Sequence, residues 1–198
     1  MRRELLLLSI LFLVFFLLFI PGKSPAGAEN TPQVGSIFPD LTLPFPQKFE
    51  EREYLKVEDG PFKLSQIRSD VLIIEIFSMY CPFCQKEAPN VNALLKAIAA
   101  KPALRSRIKL IGIGAGNSAF EVNAFRNLYR IEYALLPDEN LSLHKKLGEV
   151  MTPYFFVLWN KPEGRREVIY SKVGSFGDPQ AFLDLIETRT NLAQVKKK

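Results

Sequence analysis

The two cysteines of this 198-residue chain, Cys81 and Cys84, stand three positions apart in "SMYCPFCQKEAP". Thiols at that spacing can bond to each other, and a few chemistries use such a pair. A zinc site needs about four ligands, and the chain adds a single histidine, His144, far along the sequence. No metal is implied. Covalent haem attachment needs a histidine directly after the second cysteine, where this chain has Gln85. A purely structural disulfide closing so small a loop constrains the unfolded chain little. A redox couple fits best, and it needs no cofactor beyond the two sulfurs.

Position decides whether such a pair is reactive. "VLIIEIF", Val71 to Phe77, is almost continuously apolar and β-branched, the pattern of a strand covered on both faces. Pro82 suits a first helical turn, and "QKEAPNVNALLKAIAA" continues it with Val91, Leu94, Leu95 and Ile98 at helical spacing until Pro102. A strand therefore feeds a helix through the cysteines. Cys81 lies at the positive end of the helix dipole, beside unpaired backbone N–H groups that stabilise a thiolate. It is the attacking sulfur. Cys84, one turn further in and more buried, is placed to resolve a mixed disulfide.

The rest of the chain supplies a scaffold for that junction. "IKLIGIGAG" reads as a second buried strand, "SAFEVNAFRNLY" as a helix and "YALLPD" as a short strand, a β-α-β-α alternation. A short helix "LSLHKKLG", a strand "PYFFVLW", an antiparallel partner "REVIYSKVG" and a closing helix "DPQAFLDLIETR" with Asp178 as N-cap follow. Upstream, "EYLKVEDGPFKLSQI" predicts a short edge strand, a turn at Asp59-Gly60 and a helical turn. The expectation is one α/β domain over residues 37–190, a mixed central sheet flanked by helices, with an N-terminal extension. Residues 29–36 read as a linker with nothing to pack, and 191–198 as a basic tail.

"MRRELLLLSILFLVFFLLFI" has a positive start and an apolar run from Leu5 to Ile20 broken only by Ser9, followed by small residues ending at Ala28. Residues 1–28 read as an export signal cut after Ala28 or a retained membrane anchor. Either way, Arg2 and Arg3 stay in the cytoplasm and the domain crosses to the periplasm or the extracytoplasmic face. Membrane contact is expected through this segment alone. The formal charge is +5, but Arg2, Arg3, Lys23 and the terminal lysines supply much of it. No basic stripe interleaved with aromatics is visible, so a nucleic-acid partner is not expected.

The chain resembles the thioredoxin-like superfamily, and within it the exported TlpA/ResA group, over roughly Val34 to Thr188. The resemblance rests on "GSIFPDLTL", on "VLIIEIF" leading into "CPFC", on "EAP" at 87–89, on "IGIG" and on "MTPYFFVL". It implies a thioredoxin-like fold with a cis-proline at Pro153 opposite the cysteines and Thr152 against the reactive sulfur. Backbone from Met151 to Pro153 would then pair with a substrate strand. It also implies roles for two acids. Glu75 falls where thioredoxins carry a buried carboxylate that helps deprotonate the second cysteine, and burial raises the pKa of such a group. Glu87 falls where ResA-like proteins place an active-site glutamate. Tyr80 replaces the usual tryptophan, and Pro82-Phe83 differs from the inner pairs of thioredoxin and ResA, with a first-position proline also found in oxidising members, so the redox potential is not carried over by the resemblance. Tyr80, Pro82 and Phe83 are the candidate substrate contacts.

The leading expectation is a thiol-disulfide oxidoreductase that reduces disulfides of exported proteins. The resemblance implies substrates such as apocytochrome c thiols and a membrane thiol-disulfide electron donor. An oxidase or isomerase would use the same residues in reverse. A thiol peroxidase matches Ser78, a hydroxyl three residues before Cys81, but has Ile74 where its pattern wants proline. A binding module whose cysteines only stabilise the fold is the non-enzymatic alternative. His144 reads as a surface residue of its short basic helix.

Overall fold

The structure is a computed structural model that describes residues 30–46, 48–161 and 164–192. The signal or anchor at 1–28 and most of the basic tail lie outside the described residues. The elements are β1 (Thr42–Leu43), α1 (Phe49–Leu55), β2 (Phe62–Lys63), β3 (Val71–Phe77), α2 (Pro82–Ala100), β4 (Ile108–Ala115), α3 (Ala119–Tyr129), β5 (Ala134–Asp138), α4 (Ser142–Lys146), β6 (Tyr154–Asn160), β7 (Arg166–Val173) and α5 (Pro179–Thr190).

Five strands form one sheet in the order β5-β4-β3-β6-β7, with β3 parallel to β4 and antiparallel to β6. Every residue of β3 is buried, because the central strand is covered on both faces. Its side chains alternate: Val71, Ile73 and Phe77 join the core under α2, α3 and α5, while Leu72, Ile74 and Ile76 join the core on the α1 and α4 face. Glu75, by the same alternation, belongs to the α2 face. The mixed sheet flanked by helices is the fold read from the sequence.

Three readings from the sequence differ from the structure. "EYL" is not an edge strand but the end of α1, and its position explains why. β5 is an edge, and Glu51 of α1 accepts from Leu135 N at 3.1 Å while pairing with Arg126, whose Nη1 donates to Tyr133 O at 2.9 Å. A buried ion pair thus occupies the place of a missing neighbour strand. Just before the β4–β5 pairing begins, Leu110 N donates to the Tyr54 hydroxyl at 2.8 Å.

Residues 30–36 are likewise no loose linker. Gly35 N donates to Val168 O at 2.8 Å, Val168 N to Ser36 O at 2.9 Å, and Ser171 Oγ to Pro32 O at 2.8 Å. This segment covers the other sheet edge, β7. The domain also extends past residue 190: Leu192 packs in the core and its carbonyl accepts from Arg107 Nη1 at 3.1 Å.

Breaking the Glu51–Arg126 pair leaves a buried guanidinium and an orphaned strand N–H. Glu51→Ala is expected to cost about 3–5 kcal/mol of stability in urea unfolding. A loss below about 1 kcal/mol, the scale of an exposed pair, would contradict the edge role.

Candidate active site

Strand β3 ends at Phe77, and the chain turns through Ser78-Met79-Tyr80 into α2. Two side chains pin the Met79 peptide: Asn117 Oδ1 accepts from Met79 N, and Gln85 Nε2 donates to Met79 O, both at 2.8 Å. Cys81 N donates to Ser78 O at 3.1 Å and closes the turn. Cys81 is then the N-cap of α2, with extended backbone (φ −83°, ψ 114°) and Pro82 in the first turn. Proline there costs no hydrogen bond, since the first helical N–H groups have no intrahelical partner.

The two thiols are free and unequal: Cys81 is half-buried and Cys84 buried. Burial by itself would raise the Cys81 pKa. The Thr152 side chain, the amides of Cys84 and Phe83 and the Cys84 thiol outweigh it, and the net value is lowered. The Cys81 thiol also donates to the Thr152 carbonyl at 3.2 Å. Thr152 therefore meets Cys81 through its carbonyl, and its side chain favours the ionised thiol. Cys84 moves the opposite way, pushed well up by burial first, then by Cys81 and by the charge on Glu75, against the Ser78 backbone and the Thr152 side chain.

Glu75 lies behind Cys84 with no exposed surface. Burial pushes its carboxyl up to about 7, a hydrogen bond from Tyr133 pulls it down, and nearby Glu87 pushes it up. The Tyr133 hydroxyl donates to Oε2 at 2.5 Å, while Oε1 is buried with no partner among the described residues. Glu87 is also buried. Its Oε1 accepts from Asn90 Nδ2 and Ser175 Oγ, each at 3.0 Å, which ties α2 to the loop before α5.

The Thr152–Pro153 peptide is cis, as the resemblance implied. His144, read as a plain surface residue, is half-buried, and its Nε2 donates to Val150 O at 2.8 Å, steadying the approach to Thr152. Around Cys81 the surface is apolar. Tyr80, Phe83 and Met151 are 65%, 71% and 73% exposed, and Pro82 is exposed beside them. Tyr80 is held by a hydrogen bond from its hydroxyl to Glu121. Of the residues singled out from the sequence, Cys81, Cys84, Glu75 and Thr152-Pro153 meet at one point, Tyr80, Pro82 and Phe83 rim it, and Glu87 stands one layer away. Asn117, Gln85, Tyr133 and His144 were missed, because each acts on a neighbour far away in sequence or through a side chain with no motif around it.

Residues 34–168 match the model of the AhpC/TSA family. The chain belongs to the AhpC/TSA family. No curated protein matches it in sequence. Among solved structures it is similar to the thioredoxin domain of a thiol-disulfide oxidoreductase from Bacteroides vulgatus (TM-score 0.59, 13% identity, 81% of this chain and 100% of that one). It is also similar to StoA from Bacillus subtilis (0.51, 19%, 79% and 100%). A third is a secreted Mycobacterium tuberculosis disulfide oxidoreductase homologous to E. coli DsbE (0.51, 15%, 74% and 95%). At these identities the likeness establishes the thioredoxin-like fold. Within the AhpC/TSA family, a dithiol at a helix start places the protein among the oxidoreductases.

The geometry sets two outcomes. Iodoacetamide at neutral pH is expected to alkylate Cys81 well before Cys84, read by peptide mass; equal rates would contradict the gradient. Glu75 is more basic folded than unfolded, since its pKa of about 7 exceeds the ordinary 4.5. Its favourable contribution is complete below the ordinary carboxyl range and is lost as pH rises through about 7. Glu75→Gln, which cannot ionise, should therefore gain on the wild type between about pH 5 and 8, by on the order of 3 kcal/mol in urea unfolding. Parallel pH curves would contradict a buried, titrating Glu75.

Proposed function

We propose that this protein reduces disulfides in exported proteins, with Cys81 as nucleophile, Cys84 as resolving thiol and Glu75 as the acceptor of its proton. The observation that supports the reading is the opposite shift of the two thiols, the half-buried one lowered in pKa and the buried one raised, within reach of the charge on Glu75. The Cys81 thiolate attacks a substrate disulfide, forming a mixed disulfide and releasing one substrate thiolate. Cys84 then loses its proton to Glu75 and attacks Cys81 Sγ. The second substrate thiolate leaves, and Cys81 and Cys84 end as a disulfide.

Direction follows from what stabilises Cys81. A strongly oxidising couple has a heavily stabilised reduced form. Here the donors that lower the Cys81 pKa are neutral, a hydroxyl, two amides and a thiol, and burial opposes them. No charged side chain stands among them, which supports an outward flow of electrons. A spent disulfide then needs a thiol-disulfide electron donor in the membrane, and the apolar N-terminal segment, whether cut or retained, delivers the domain to the extracytoplasmic face. The apolar rim of Tyr80, Phe83 and Met151 suits an unfolded polypeptide; haem-binding thiols of apocytochrome c are the narrower substrate proposal. Glu87 acts on this proton transfer at one remove, through its charge on Glu75.

A second reading, thiol peroxidase, is favoured by family membership and by Ser78 beside Cys81. Reduced full-length protein is expected to cleave insulin disulfides with a thiol donor, and Cys81→Ser to abolish this. Cys84→Ser should accumulate a mixed disulfide visible on a non-reducing gel. Rapid hydrogen peroxide turnover without insulin reduction would favour the peroxidase instead.

A further inference from the structure

Tyr133 stands outside the set of residues that touch a reacting sulfur, yet among the described residues it is the largest fully buried side chain, and its hydroxyl donates a hydrogen bond to the Glu75 carboxyl. It enters from the far side of the sheet centre. Tyr133 immediately precedes β5, and β4 lies between β5 and the Glu75 strand β3. Gly112 of β4 is the register partner of Glu75 and carries no side chain. A Cβ at Gly112 would stand 2.5 Å from Leu135 Cδ2 and 3.2 Å from Phe77 Cε1, so the space over β4 is already filled by its neighbours. The missing side chain lets residues of the β5 side approach β3 on this face, and the long phenol reaches Glu75.

Backbone restraint makes Tyr133 a fixed point rather than a mobile ring. Its carbonyl accepts from Arg126 Nη1 at 2.9 Å, and Arg126 is itself paired with Glu51. The same ion pair that covers the sheet edge therefore holds the residue that reaches the active carboxyl. At the other end, the two oxygens of Glu75 are unequal. Oε2 is bound to Tyr133 at 2.5 Å, within the range of a charge-assisted O–H···O bond. Oε1 is buried with no partner among the described residues. An unpaired buried carboxylate oxygen is costly, and a thiol proton can satisfy it.

We propose that Tyr133 is a positioning residue that holds Glu75 by Oε2 and leaves Oε1 as the oxygen that receives the Cys84 proton. The proposal rests on the reductase reading and assigns the way its second step is timed. The Cys84 S–H bond breaks with its proton going to Oε1, the thiolate forms a bond to Cys81 Sγ, and the substrate thiolate leaves with the electron pair of the mixed disulfide. The hydrogen bond from Tyr133 favours the ionised carboxyl, and so sets the pH at which Glu75 can act as acceptor. Burial first, then Glu75 and to a lesser degree Cys84, make ionisation of the Tyr133 hydroxyl harder. Tyr133 thus stays a donor while the carboxyl gains and loses its proton.

The test uses the reduced full-length chain in detergent, mixed with an equal amount of dithiobis(nitrobenzoate). The first coloured thiolate released reports attack by Cys81, and the second reports resolution by Cys84. Tyr133→Phe is expected to leave the first release unchanged and to slow the second about tenfold at pH 7, the size of one charge-assisted hydrogen bond. The pH midpoint of the second release should move upward. In a Glu75→Gln background the same substitution should slow it no further. A second release with wild-type rate and midpoint, or an equal loss in both backgrounds, would overturn the proposal. A wild-type chain with no first release would instead overturn the reductase reading beneath it.

A measurement on the unmodified protein guards against a variant that does not fold. With ring-labelled tyrosine, the Tyr133 hydroxyl proton should give a slowly exchanging proton resonance far downfield of the amides. No such resonance at pH 8, where Glu75 is ionised, would also overturn the assignment.

Discussion

A carboxyl group in the middle of the central strand is the constraint around which this fold is arranged. Glu75 sits in β3 with both faces of the sheet covered, so no water reaches it from either side. An ionised group in such a place is unfavourable unless it is bonded or neutralised. The structure answers with a single short bond from Tyr133, and leaves the carboxyl titrating near neutrality. That places a titratable carboxyl within electrostatic reach of the buried thiol. The requirement propagates outward: Tyr133 is fixed by Arg126, Arg126 by Glu51, and Glu51 lies on a helix that exists to close the sheet edge.

The reactive sulfur is shaped by a different kind of interaction. Cys81 depends on backbone: the start of α2, the Met79 peptide pinned on both sides, and the Thr152–Pro153 segment that comes in from the opposite side. None of these is a charged side chain. Helix-terminal amides and one hydroxyl lower the thiol pKa, and burial works against them. Two thiols three residues apart therefore meet two environments, one built from backbone at the surface and one from a carboxyl in the core. The first lowers the pKa of Cys81, and the second helps raise that of Cys84, whose largest cause is burial.

Much of this was legible from residue pattern. The continuous apolar run of β3 could only be a doubly covered strand, and Pro82 after Cys81 could only start a helix without loss. Asp178 before Pro179 marked α5, and its carboxylate does accept from Ala181 N at 2.8 Å. What the pattern concealed is set by contacts distant in sequence. "EYLKV" holds residues at home in a strand, yet it closes a helix because Glu51 and Tyr54 are needed at the exposed edge of β4 and β5. "PQVGS" looks unable to pack, yet its backbone pairs with β7. Tyr133 resembles any core aromatic in sequence; only the register of Gly112 opposite Glu75 gives its hydroxyl somewhere to go. The cysteine pair, by contrast, announces itself, because its chemistry depends on spacing and on the strand and helix beside it.

A thiolate stabilised by neutral donors is the ground on which this couple is proposed to be a reductant. The reduction potential of Cys81/Cys84, measured against glutathione, tests it most directly. A value near about −250 mV or lower is expected. A value near about −120 mV, that of a couple whose reduced form is strongly stabilised, would contradict it and turn the direction of electron flow around.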